Sequence, residues 1–273
     1  MILVVGDVMD DLVVRPLGPL AAGTDTPARI EPHPGGQGAN TAAWLGALGA
    51  PVRFAGRVGV ADVHRHASAL AAHGVDARLA GDPLVPTGRL VVLTTDRSMF
   101  TDRGANARLS AADLGEELVD GVRHVHVSGY ALAEAGPRAA VLDLVRRAGL
   151  PWSVDPGSSA FIAGAPFLDW TAGAAICFPN ADEADALGDG LAGAYEVVVL
   201  KRGAGGVRVL RDGAVVADVA AVAVDEVDPT GAGDALAAGF LAARLRGGDD
   251  EACARAAVQA AARAVSRAGA RPS

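Results

Sequence analysis

A chain of 273 residues, 51% hydrophobic and 21% charged, is long enough to bury the core of one large α/β domain or two small ones. Its formal net charge of -8 argues against a general nucleic-acid binder or a basic membrane-surface protein. Cys177 and Cys253 lie far apart without ligand spacing and read as buried reduced thiols.

"MILVVGD" enters a strand directly, with no basic leader, and no run reaches transmembrane length without charge, so a soluble cytoplasmic protein is expected. Along the chain, "ILVVG" (2–6) reads as a strand and "NTAAWLGALGA" (40–50) as a helix. "VRFAGRVG" (52–59) is a strand again and "VHRHASALAAHG" (63–74) a helix. "RHVHVSG", "PWSVDP", "AAICFPN" and "EVVVLKRG" supply four more strands, most separated by helical stretches such as "PRAAVLDLVRRAG". This alternation predicts a parallel sheet with helices on both faces. Sites in such sheets lie beyond the strand C-termini, where Asp7, Ser128, Asp155, Asn180 and Gly203 fall.

Two regions, 12–34 and 87–101, read as pairs of extended segments without helices and suggest a small β lid. "SAADL" (110–114) restarts a helical pattern with a capping-box pair, Ser110 and Asp113. The run 249–269 reads as one long helix stopped by Gly269. His64 and His66 are expected on a solvated helix face, His124 and His126 in packing. His33, Arg103 and Asn106 are candidates to touch a ligand.

Two glycine-rich stretches carry the chemistry. In "DPTGAGDALAAGF" (228–240), Gly231, Ala232 and Gly233 let backbone N–H groups approach an anion at the positive end of a helix. Asp234 then points at whatever hydroxyl sits beside that anion, the arrangement phosphoryl transfer to an alcohol requires. In "PGGQGANTAAWLGALG" (34–49) the glycines permit a tight turn, and Asn40 either faces a ligand or caps its helix. No Gly-Lys-Ser/Thr follows, and the first strand lacks GxGxxG, so neither a P-loop nor a dinucleotide fingerprint is present.

Together, "GGQGANTAAWLGALG", "PNADEADAL" (179–187), "LKRGAGGV" (200–207) and "DPTGAGDALAAG" resemble, in order, the motifs of the ribokinase-like (PfkB) carbohydrate kinases, over essentially the whole chain. The resemblance implies a single domain, 1–273, with a three-layer αβα fold, a mostly parallel central sheet and a small β lid. It implies an ATP-dependent sugar kinase using Mg²⁺, with Asp234 as catalytic base and Gly231, Ala232 and Gly233 as the anion hole. Asp11, Gly35, Gly36 and Asn40 would hold the sugar. Asn180 and Glu183 would organise Mg²⁺, and Lys201, Gly203 and Gly206 would line the nucleotide site. Asp228 with "GARPS" (269–273) resembles a monovalent-cation loop and implies K⁺. The lid implies a homodimer contact. Met9 stands where ribokinases place a polar residue on the sugar, and Ala257 and Val258 where some relatives place one near adenine. A nucleoside kinase of the same superfamily and a catalytically silent sugar-binding regulator remain the alternatives.

Overall fold

A computed structural model describes residues 1–95 and 98–272; Asp96 and Arg97 of the second lid segment and Ser273 of the terminal run lie outside them. The strands, in chain order, are β1 (Ile2–Val5), β2 (Met9–Pro16), β3 (Ala28–Gly35), β4 (Val52–Gly59), β5 (Val75–Asp82), β6 (Gly88–Leu93) and β7 (Met99–Asp102). They continue with β8 (His124–Ser128), β9 (Trp152–Asp155), β10 (Ile176–Cys177), β11 (Val197–Lys201), β12 (Val207–Arg211) and β13 (Ala214–Val219). Nine of them form the main sheet in the order β13-β12-β11-β10-β9-β8-β1-β4-β5, and β3-β2-β6-β7 form a separate four-stranded sheet. The main sheet is parallel from β5 to β11; β12 and β13 close one edge antiparallel.

β1 shows why the strands read as continuous apolar runs. Ile2 and Val4 join the core on one side of the sheet, with Trp44, Phe54 and Phe240. Leu3 and Val5 join the core on the other, with Leu132, Leu144 and Phe167. A strand buried on both faces has no polar side to alternate with. Chain order runs outward from β1 in both directions, toward β8 and toward β4. Ligands bind beyond the strand C-termini at such a reversal.

The lid begins at Met9 and ends at Gly35, wider than the 12–34 expected, so Asp10 and Asp11 stand on a lid strand. Three strands went unread in the sequence: β5, β12 and β13. The last two form a hairpin whose two-residue turn, Asp212-Gly213, has φ of 49° and 78°. Asp-Gly between apolar runs is the signal that marks it. Ser110 and Asp113 do form a capping box, though on a single 3₁₀ turn. The terminal helix is Asp250–Val265, shorter than expected. Val265 O instead accepts from the N–H groups of Val227 and Asp228, and the tail beyond turns back over the site.

Candidate active site

The first glycine stretch bends from β3 into the helix Gln37–Ala47. Gly36 sits at φ 93°, and a Cβ there would meet Asp7 O at 2.5 Å. The tight turn brings Gln37 and Gly38 against Asp7, whose carboxylate accepts their N–H groups at 3.1 and 3.2 Å. Asp7 therefore caps this helix from the loop that follows β1, and Asn40, one turn in, is free of that task. Its Nδ2 donates to Asp234 Oδ2 at 3.0 Å, joining two motifs that are 194 residues apart in sequence.

Asp234 lies in the first turn of the helix Ala232–Leu245, which begins at Gly231 in the left-handed region, φ 77°. A Cβ on Gly231 would meet Ala270 O at 2.5 Å. The Ala232 N–H donates to Pro229 O at 3.2 Å. A helix dipole favours the ionised carboxylate here, but burial and the nearby Asp155 outweigh it and push Asp234 well above the usual carboxylate range.

Beside this helix head stands Lys201, the chain's only lysine. Its Nζ pairs with Asp155 Oδ2 at 2.7 Å and lies 3.9 Å from Glu183 Oε2. Burial lowers the ammonium's pKa, but Asp155 and Glu183 more than offset it and hold Lys201 above its ordinary value. Glu183 itself is pushed up by burial. Asn180 and Glu183 form a reciprocal capping box, each side chain accepting the other's backbone N–H at 2.8 Å. Lys201, Asn180, Gly203, Gly206 and Gly233 open onto a cavity of about 540 Å³, continued by Leu236, Val258 and Val265. That volume suits a nucleotide-sized molecule.

On the lid side, Asp11 is buried and its carboxylate lies where a Cβ of Gly35 would stand, 2.1 Å from that position. Among the described residues Asp11 Oδ1 has no hydrogen-bond partner. Burial, reinforced by Asp7, pushes its carboxyl up to about 7. Asp10 is instead held by Arg65 through two bonds of 2.8 Å.

The model of the pfkB family carbohydrate kinases matches residues 1–273. The chain belongs to the PfkB family. An ATP-dependent ribose-1-phosphate kinase of Halopiger xanaduensis is 32% identical, covering 80% of this chain and 75% of that one. The bifunctional protein HldE of Bradyrhizobium diazoefficiens is 30% identical over 98% of this chain. The chain spans 56–60% of the length of the bifunctional relatives it matches. A putative ribokinase II from E. coli, solved with ATP and Mg²⁺, superposes with a TM-score of 0.87 at 25% identity, covering 98% of this chain and 94% of that one. A probable sugar kinase from Rhizobium etli gives a TM-score of 0.86 at 25%, covering 99% and 94%. The ribokinase-like fold expected from the motifs is thereby established.

Several features of this PfkB-family chain escaped sequence reading. Gln37 donates from Nε2 to Asp155 Oδ1 at 2.9 Å, tying the first glycine motif to the Lys201 cluster. Arg271 is buried beside Asn40. The Asn106 side chain accepts from Val8 N–H and donates to Val8 O, stapling the lid base. Arg103 lies against Tyr130, donating to its carbonyl oxygen. His66 is buried beside Asp10 rather than solvated. His124 and His126 pack as expected, both on Ser153 Oγ. Nothing in a single sequence marks these partners, because each pair is at least 27 residues apart or reached only through the fold.

Mg²⁺ fits this donor set only together with phosphates. Among the described residues no group of three or more His, Cys, Asp or Glu side chains could hold a metal alone. Mg²⁺ characteristically takes one or two carboxylates plus phosphate oxygens. Asp228 is turned inward: Oδ1 accepts from Thr230 N–H and Oγ1, and Oδ2 from Gly269 N–H. Among the described residues no helix is long and apolar enough to cross a membrane.

Proposed function

We propose that this chain is an ATP-dependent sugar kinase that transfers the γ-phosphoryl group to a hydroxyl of a small carbohydrate. The observation that carries the reading is the Asn40–Asp234 bond, which joins the two glycine motifs at a helix head whose Gly233 lines the Lys201 cavity. The acceptor oxygen bonds to the γ-phosphorus as the bond to the bridging oxygen of ADP breaks, and the hydroxyl proton passes to Asp234. The N–H groups at the head of the helix and the Lys201 ammonium stabilise the charge on the transferring oxygens. Lys201, Gly203 and Gly206 line the nucleotide compartment. Asn180 and Glu183 would hold Mg²⁺ through its waters, and bound Mg²⁺ supplies charge neutralisation and alignment of the phosphates.

The test is ADP release from ATP and Mg²⁺ over a panel of pentoses, hexoses, sugar acids, sugar phosphates and nucleosides. Sugar phosphates join the panel because a relative is named for ribose-1-phosphate. Turnover with a carbohydrate supports the reading. Turnover with nucleosides alone makes the chain a nucleoside kinase. Sugar binding by calorimetry with no ADP release makes it a silent regulator.

Asp11 is proposed to bind the acceptor, since its buried Oδ1 lacks a partner among the described residues. Asp11→Ala is expected to weaken acceptor binding by about 10- to 100-fold, the equivalent of one charged hydrogen bond, with ATP affinity kept. Because the carboxyl titrates at about 7, wild-type affinity should improve as pH rises through that value and the accepting carboxylate forms. Calorimetry across pH 6–8 (a window set around that value) checks both; equal affinity for the two proteins removes Asp11 from the pocket.

The Asp228 loop with the terminal segment is proposed to bind K⁺, which would brace the anion-hole turn. Equal rates in K⁺ and Na⁺ at one ionic strength would dismiss it. A homodimer is proposed through the lid. Its register puts Leu12, Val14, Ile30, Val91, Leu93 and Phe100 on one face, with Ile30 and Phe100 exposed. A strictly monomeric mass in sedimentation would remove it.

A further inference from the structure

The tail beyond the last helix lies between the two glycine motifs. Gly269 N–H donates to Asp228 Oδ2 at 3.0 Å, and Trp44 Nε1 donates to Ala270 O at 2.9 Å. Ala270 fills the space beside Gly231, where a side chain would otherwise stand. These contacts set the register of the next residue, Arg271, which is 7% exposed. Its Nη2 donates to Gly35 O at 2.9 Å, and its Nε donates to Asn40 Oδ1 at 3.1 Å.

The second of these bonds has a directional consequence. A carboxamide has a donor end and an acceptor end, and a guanidinium can only donate. With Oδ1 on Arg271, Asn40 must present its NH₂ to Asp234 Oδ2, as it does at 3.0 Å. Turned over, the amide would set its carbonyl oxygen against a carboxylate and its NH₂ against a cation. The bond to Oδ2 in turn fixes the rotation of the Asp234 carboxylate and leaves Oδ1 for another partner.

We infer that Arg271 is a positioning residue for Asp234, acting through the orientation of the Asn40 amide. The inference rests on the reading of Asp234 as the base. Arg271 stays cationic in this role: burial lowers it to about 10, with Asp11, Asp10, Asp234 and Asp7 opposing the fall. A cation on the amide oxygen also polarises the NH₂ and strengthens its bond to the carboxylate.

The test is a double-mutant cycle on kcat, using the best acceptor from the panel with ATP and Mg²⁺. Arg271→Met keeps the stem and removes the donors. It should lower kcat by about 10- to 100-fold, as misplacing a reacting group does, while the KM for ATP stays within about twofold. Asn40→Ala should lower kcat similarly. In the Asn40→Ala background, Arg271→Met should lower kcat no further, because the amide it orients is gone. Recurrence of the full factor in that background would overturn the inference and leave Arg271 as a tail anchor. Unchanged kcat in Arg271→Met overturns it as well. Should Arg271→Met fail to fold, Arg271→Lys gives the same reading: it keeps a cation but loses the planar, longer-reaching fork that bonds Gly35 O and Asn40 Oδ1, so kcat falls in the wild-type background and not in Asn40→Ala. Asp234→Asn separates the two claims. A fully active Asp234→Asn enzyme defeats the base itself, whereas an inactive one beside an additive cycle defeats only the role of Arg271.

Discussion

Asp234→Asn is expected to lower kcat by about 10²–10⁴-fold, the range for loss of a general base, with fold and nucleotide binding retained. The substitution is nearly isosteric, and an amide oxygen at this place still accepts from Asn40 Nδ2. What disappears is the ability to take the hydroxyl proton. ATP should bind at least as well, since a negative charge leaves the neighbourhood of the phosphates. The pH profile adds a signature. Burial and Asp155 raise the Asp234 carboxyl, so the wild-type rate falls as pH drops through a value above the usual carboxylate range. The residual activity of the mutant should lack that limb. Steady-state kinetics from pH 5 to pH 9 (a window spanning carboxylate to neutral titration) would show both, and a near-wild-type kcat would remove Asp234 from catalysis.

Lys201→Met should be damaging for stability as well as for turnover. The Lys201–Asp155 pair is buried, with side chains 11% and 1% exposed, and Glu183 stands 3.9 Å from the same ammonium at 2%. Removing one partner of a buried pair leaves an uncompensated charge and costs about 3–5 kcal/mol. Adding Asp155→Asn should return much of that stability, because the orphaned carboxylate is neutralised. Activity should not return, because the cation beside the helix head at Gly233 is still absent. Urea unfolding of the single and double variants decides the matter. A Lys201→Met protein within about 1 kcal/mol of wild type would mean the ammonium is not needed to offset the acids.

Much of the fold was legible because it rests on local rules. Runs such as Ile2–Val5 and Val197–Val199 are apolar at every position, which is what a strand covered on both faces requires. The glycines around Gly36 were legible as a tight turn because left-handed backbone is strained for other residues. β5 was harder to read: "VDARLAGD" alternates only weakly, and it is held in place by eight rungs of pairing to β4. The terminal helix was read too long for a related reason. Its last carbonyl is taken by Val227 and Asp228, residues of a distant loop.

The candidate site divides along the same line. The sequence alone determined which residues are fit for phosphoryl chemistry: a glycine-flanked acid at a helix head, a second glycine turn with an asparagine, and the order of four motifs. These are properties of short segments, set by backbone sterics and by the exposed N–H groups of a helix start. Only the tertiary structure decided which of them meet. It made Asp7 a helix cap and bonded Asn106 to Val8 and the Ala232 N–H to Pro229. It also brought Arg271 from the end of the chain onto Asn40, 231 positions away. A hydrogen bond depends on a distance of about 3 Å and an angle. Between residues far apart in sequence, those are fixed by the packing of sheet, helices and tail together, and no local pattern carries them.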